Sequence, residues 1–277
     1  MIFCKELNKE FSDKSQMFFE LKANKELIVA EKKAAIKFSD PIQYFVKSIT
    51  GEAEKTAPTD PEVIGVGSTI YAVINTTNFY DSCGDVHLDG IWDNSIKDQK
   101  GKLYYVINHD LKLGSVIAYP KDVDASVVPL KWSDIGQDYS GSMQALVYAV
   151  KLTEAANKDA LSAIITKQDI QNSVRMGYIS MILCIDDNSE DYKQEKANFD
   201  KYLKIVANKQ DAEDAGYFWA IQEAKIVKEG SACLFGANEA TPILYSDPAG
   251  AGQKQQQVSP ETSSRKLNAS KLLNIFN

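Results

Sequence analysis

Histidine is nearly absent: the chain holds two, His87 and His109, in 277 residues. A tetrahedral zinc site draws four ligands from Cys, His and carboxylates, usually with one close pair. The four cysteines, Cys4, Cys83, Cys184 and Cys233, are far apart and form no C-x-x-C, so no metal is expected. A chain of this size with an ample core needs no disulfide staples, and the cysteines are read as reduced. A basic surplus is also missing. Lys and Arg number 31 against 38 Asp and Glu, a net charge of −7, which argues against nucleic acid as the main partner. The most apolar stretch, Val63 to Ile74, falls short of the ~20 residues that span a bilayer, so no membrane is expected. With 15 Gly, 8 Pro and 10% aromatic residues, collagen-like, coiled-coil and wholly disordered classes are excluded. No P-loop, H-E-x-x-H, G-x-S-x-G or helix-opening G-x-G-x-x-G is present, so none of the chemistries tied to those motifs is indicated and no cofactor is expected.

What is present is a globular composition, 44% hydrophobic. The opening M-I-F-C-K-E-L-N-K-E is charged at Lys5, Glu6, Lys9 and Glu10 and has no signal-peptide apolar region. The expectation is a soluble protein working in a cytoplasm. Phe19, Leu21 and Ala23 alternate with Glu20 and Lys22 and predict a half-buried strand. Glu26 to Lys37 reads as a short helix. Residues 51–62, G-E-A-E-K-T-A-P-T-D-P-E, are a linker by composition, so residues 1–62 are expected to be an N-terminal arm and linker. From Val63 the chain becomes β-branched and predicts a buried strand. Further strands are expected at Leu103–Asn108, Gly114–Tyr119, Gln144–Leu152, Val174–Ile185 and Ala220–Val227. Helical spacing interrupts them at Thr153–Thr166 and Ser189–Ala207. Strands dominate without regular alternation with helices, which predicts an α+β domain over residues 63–245, built on a curved or barrel-like sheet with surrounding helices. Beyond Tyr245, S-D-P-A-G-A-G-Q-K-Q-Q-Q-V-S-P-E-T-S-S is a low-complexity tether. Ala269, Leu272, Leu273 and Phe276 then share one helical face. Residues 246–277 are therefore expected to be a flexible tether with a short amphipathic helix suited to docking.

His is the commonest general base near neutral pH. His109 lies in V-I-N-H-D at the end of an apolar strand, where a side chain sits at a sheet rim. His87 lies in D-S-C-G-D-V-H-L-D-G, read as a polar loop. Among nucleophiles, Cys184 in M-I-L-C-I reads as a buried strand residue. Ser173, in I-Q-N-S-V-R-M-G-Y-I-S, stands at the start of a strand after a helix and loop, though two or three serines pass that test and spacing alone does not single it out.

Five blocks in order carry a resemblance: D-S-C-G-D-V-H-L-D-G-I-W-D at 81–93, V-I-N-H-D at 106–110, I-Q-N-S-V-R-M-G-Y at 170–178, G-Y-F-W-A-I-Q-E-A-K-I at 216–226 and K-E-G-S-A-C-L-F-G-A-N-E-A-T-P at 228–242. Together they resemble the prohead maturation serine proteases of tailed bacteriophages, the family associated with the HK97-type capsid. The last block is similar to that family's E-x-S-x-x-x-x-x-A-N signature, with Glu229, Ser231, Ala237 and Asn238 in register. The resemblance covers roughly residues 63–245. It implies a fold similar to the herpesvirus assemblin proteases and a serine endopeptidase with Ser173 as nucleophile, His109 as base and Glu229 as the third member. Asp110 and Glu223 remain rivals for the third place. One position departs from the family: Arg175 stands where S-x-G would put glycine, which leaves open a catalytically inactive scaffold or capsid-interacting protein. The resemblance further implies the scaffolding segment of the major capsid protein as substrate, the enzyme itself as a second substrate, and a place inside the procapsid in the host cytoplasm; whether the chain is a homo-oligomer is left open by the sequence.

Overall fold

The computed structural model describes residues 1–37 and 64–248. The expected linker at 51–62 and nearly all of the C-terminal tether and helix lie outside the described residues. Among those described, the class is mixed α+β, with eleven strands and six α-helices.

The chain opens with a small hairpin, β1 (Ile2–Cys4) and β2 (Lys9–Phe11), followed by α1 (Lys14–Ala23) and α2 (Lys25–Ala34). The alternation read as a strand at 19–23 is thus helical. Asp13 supplies the reason: its side chain accepts the Gln16 N–H at 2.9 Å, an N-cap that satisfies an orphan donor of the first turn. Met17, Phe18 and Leu21 form the buried face, while Phe19 is 68% exposed. Cys4, Phe11, Met17, Phe18, Leu21 and Ile28 join the same apolar core as the main sheet, so the described part of the expected arm packs against the domain. Its deepest tie is ionic. Lys32 of α2, 5% exposed, reaches Asp85 at 2.6 Å and Glu6 at 3.4 Å.

The remaining elements are β3 (Thr69–Thr76), β4 (Asp85–His87), α3 (Asp93–Gln99), β5 (Tyr104–Ile107), β6 (Val116–Ala118), β7 (Val123–Lys131), β8 (Ser142–Lys151), α4 (Lys158–Ile165), β9 (Gln171–Ile185), α5 (Lys193–Leu203), α6 (Lys209–Ala215), β10 (Tyr217–Cys233) and β11 (Ile243–Leu244). They make two sheets. One is antiparallel in the order β11-β3-β8-β7. The other is built on β10, whose 17 residues run antiparallel to β9 along one edge and parallel to β4 and then β5 along the other, with β6 added beyond β5. Neither sheet closes into a barrel, so the barrel-like expectation gives way to open sheets around a shared core.

The two sheets meet closely at Gly230. A Cβ there would lie 2.9 Å from both Ile74 and Tyr148, nearer than packed side chains allow, so this position takes glycine for close approach. Just before it, β10 slips against β9. Ile226 pairs with Met176 and Gly230 with Val174, so Val227, Lys228 and Glu229 stand opposite Arg175 alone, and Lys228 takes a positive φ of 74°. Such a bulge re-aims a side chain and increases local twist. The side chain that this bulge carries inward is that of Glu229.

Candidate active site

His109 sits on a turn that the backbone would not adopt unaided. β5 ends at Ile107, and Asn108 and His109 follow with φ of 48° and 55°. Left-handed conformations are uncommon for residues with a Cβ, although Asn and His adopt them more readily than most, and they persist where surrounding bonds hold them. Three bonds do so here. Asn108 N–H donates to Ala232 O at 2.9 Å, Asp110 N–H donates to Ile107 O at 2.9 Å, and His109 N–H donates to Ser231 Oγ at 2.8 Å. Ser231, fully buried, donates in turn to Val106 O at 3.2 Å.

The turned ring meets the bulge. His109 Nδ1 lies 2.8 Å from Glu229 Oε1, with side-chain exposures of 4% and 0%. A carboxylate at Nδ1 fixes the tautomer with the proton on that nitrogen and the lone pair on Nε2. Of the three carboxylates considered for this place, Glu229 is on the ring. Asp110 accepts from Ser115 Oγ at 2.8 Å and pairs with Lys112 at 3.5 Å, both outside the site. Glu223 accepts from Asn94 Nδ2 at 2.8 Å.

Ser173 is the third residue of β9 and pairs directly with Ser231. Opposed residues of an antiparallel pair present their side chains to the same face, and Glu229 and Ser231, two apart, share that face as well. The Ser173 hydroxyl and the His109–Glu229 pair therefore belong to one side of the sheet, with Ser231 between them. Ser173 is 8% exposed and lines a cavity of about 30 Å³ with Asn172, Met176, Tyr178, Lys37 and His87. That volume is room for one water. His109 is not in its lining. Arg175 is half-buried on β9, opposite the bulge that carries Glu229.

His87 differs from the sequence reading. It is in β4 rather than a polar loop, and only 2% exposed. The loop lettering misled because Asp81 and Asp85 turn inward. Asp81 accepts the Cys83 and Asp85 N–H groups at 2.8 and 3.0 Å, and Asp85 takes the Lys32 ion pair. Around the ring, Trp92 Nε1–H donates to Asn75 Oδ1 at 3.1 Å, Asn75 Nδ2 lies 2.9 Å from His87 Nδ1, His87 Nε2 lies 3.4 Å from Tyr178 OH, and Tyr178 OH donates to Asp85 Oδ2 at 2.7 Å. Every donor in this chain finds an acceptor if His87 is neutral with its proton on Nε2. Burial pulls His87 down to about 4, which keeps it neutral. Burial and the Asp85 charge push Asp81 up to about 7. Burial disfavours the Lys32 ammonium, but Asp85 and Glu6 outweigh it and leave Lys32 raised.

The sequence reading missed Ser231 as the residue that pins His109, and the Lys32–Asp85–Tyr178–His87–Asn75 chain entirely. The E-x-S spacing carried a usable signal for Ser231, since residues two apart on a strand share a face. For Lys32 there was none. None of the four cysteines is in a disulfide. Among the described residues no group of three His, Cys, Asp or Glu is arranged to hold a metal ion, and no helix is long and apolar enough to cross a membrane. Comparisons with family models, with curated proteins and with solved structures find no match to this chain.

Proposed function

We propose that this chain is a serine endopeptidase in which Ser173 is the nucleophile, His109 the general base and Glu229 the residue that orients the imidazole. The observation that carries the reading is the buried 2.8 Å contact between His109 Nδ1 and Glu229 Oε1, held by a positive-φ turn on the face that Ser173 shares. With its Nδ1 proton committed to Glu229, His109 offers Nε2 to the Ser173 hydroxyl. Ser173 Oγ attacks the scissile carbonyl as its proton passes to Nε2, and the imidazolium then gives that proton to the leaving amine. Water, activated by the same nitrogen, releases the acyl group and restores the serine. Glu229 stabilises the imidazolium that forms between these steps, and backbone N–H groups following Ser173 receive the oxyanion.

The finer reading rests on the five sequence blocks. It makes the chain a procapsid maturation protease with an assemblin-like fold, acting inside the phage procapsid in the host cytoplasm on the scaffolding segment of the capsid protein and on itself. Co-expression with the capsid protein, followed by mass spectrometry of the products, tests it. Processing by the wild-type chain but not by Ser173→Ala is expected. Processing that survives Ser173→Ala removes the reading. A second reading, an inactive protease-like scaffold or capsid-interacting protein, is favoured by Arg175 in place of glycine. Failure of the wild-type chain to process any capsid protein or casein supports it.

A further inference from the structure

The edge of β9 turned away from β10 already carries an isolated bridge from the chain's own N-terminal part. α2 ends at Ala34, Ala35 is extended at φ −75° and ψ 135°, and Lys37 then forms an antiparallel bridge with Met176. Lys37 N–H donates to Met176 O at 2.7 Å, and Met176 N–H donates to Lys37 O at 2.9 Å. Met176 is three residues beyond Ser173. Four residues earlier, Asn172 N–H donates to Thr241 O at 2.9 Å. Backbone groups two apart on a strand point to the same edge, so Val174, midway between, turns its N–H and C=O to this edge too. Lys37 also lines the small cavity at Ser173, and its Nζ lies 5.9 Å from the Tyr178 ring centroid.

We propose that the Lys37 bridge is an autoinhibitory contact. An extended polypeptide that brings a peptide bond to Ser173 along this edge adds a strand to β9 and needs the Met176 rung that Lys37 occupies. This rests on the serine endopeptidase reading. The resident occupant is the Ala35–Lys37 stretch of the chain itself, and its competitor is a substrate strand. The contact is slight, two backbone bonds and one cation–π approach, so it yields to a substrate strand that pairs at Val174 as well as at Met176. Apparent affinity for substrate is reduced by the fraction of molecules in which the edge is open. Lys37 thus tunes how readily substrate binds and leaves the chemical step alone.

The full-length chain carrying Lys37→Pro tests this, because proline has no N–H to give Met176 O. Its kcat/KM on fluorescein-labelled casein is expected to rise about tenfold, through KM, with kcat within about twofold. The Met176 amide, followed by hydrogen exchange, should lose about tenfold in protection. An end-blocked synthetic peptide copying residues 35–44 should restore that protection and inhibit casein cleavage. Lys37→Gly, which keeps the donor but loosens the backbone, should shift both readouts the same way by less, and it stands in if the proline chain does not fold. Casein cleavage that is unchanged or slower in both variants overturns the autoinhibition. Met176 exchange at the wild-type rate overturns the rung itself. Fluorophosphonate labelling separates this inference from the reading beneath it. A wild-type chain that takes label at Ser173 while Lys37→Pro gains nothing on casein refutes the inference alone. A chain that neither takes label nor cleaves casein refutes the serine reading and the inhibition with it.

Discussion

His87 and His109 are both buried, at 2% and 8% exposure, and both rings have a neighbour on Nδ1. The neighbours differ. His109 faces the Glu229 carboxylate, while His87 faces the neutral Asn75 amide, with the Tyr178 hydroxyl on its other nitrogen. Their backbones differ too: His109 is on a strained turn pinned by three bonds, and His87 is in a short strand paired with β10. Burial therefore does not separate the two histidines; their partners and backbones do. Burial and a satisfied neutral network hold His87 neutral, whereas the partner of His109 is a carboxylate.

The sharpest break between the two is in activity. His109→Gln or Ser173→Ala should lower kcat on casein by about 10⁴-fold or more, as removal of a member of such a unit does, while His87→Gln stays within a few-fold. Glu229→Gln, which leaves an amide against Nδ1 and no charge to stabilise the imidazolium, should cost about 10³- to 10⁴-fold. Comparable losses at His87 and His109 would mean that the network around His87 reaches the chemistry.

The largest stability effect is expected on the His87 side. Lys32→Met leaves Asp85 and Glu6 buried without their cation, and breaking a buried pair in this way costs about 3–5 kcal/mol. Urea denaturation of the full chain measures it. A loss under about 1 kcal/mol would mean that water reaches the carboxylates and that the network is not closed.

How far the sequence allowed this contrast to be drawn is uneven. His109 at a strand end, Ser173 at a strand start and Glu229 in an E-x-S run were legible, because strand ends and the motif are local. The length of β10 was not, since Lys228, Glu229 and Gly230 break the alternation at the bulge. β7 was missed because Pro129 interrupts it. The strand tolerates that proline by lying at the sheet edge, where an N–H is dispensable. Lys32 was illegible for another reason: it lies on an amphipathic helix like any solvated lysine, and its partner Asp85 is 53 positions away. Long-range polar pairing leaves no periodicity to read.

The pH dependence of stability sharpens the comparison further. His87 is at about 4 in the folded chain against about 6.5 unfolded, so between those values the unfolded state binds the extra proton. Stability from this group is fully present above about pH 6.5 and is lost as pH falls toward 4. Asp81, raised to about 7, acts in the opposite sense: stability falls as pH rises from about 3.8 to 7. Comparing the wild-type chain with His87→Asn cancels the Asp81 contribution. The wild type should lose about 3 kcal/mol relative to the variant between pH 6.5 and 4. A flat difference across that range would mean that His87 is already charged in the folded chain.

The smallest expected effect falls on the residue that sets the two histidines apart in backbone. Ser231 Oγ accepts the His109 N–H and donates to Val106 O, so it ties the positive-φ turn to β10. Ser231→Ala leaves that buried N–H without its acceptor, which costs about 1–3 kcal/mol. If Ser231 did no more than stabilise the fold, the variant would melt earlier and otherwise turn over casein normally below its transition. A positioning role predicts more. His109 reaches Glu229 only while the turn holds, and a shift of about 1 Å in a reacting group costs about 10²-fold. At a temperature where both chains are folded, kcat should therefore fall about 10- to 100-fold with KM little changed. The matching change at the other histidine, Asn75→Ala, removes a side-chain partner of His87 and should lower the melting temperature while leaving kcat within a few-fold. A kcat for Ser231→Ala within twofold of wild type would show that the three-bond turn is redundant, and that Glu229 alone holds the ring.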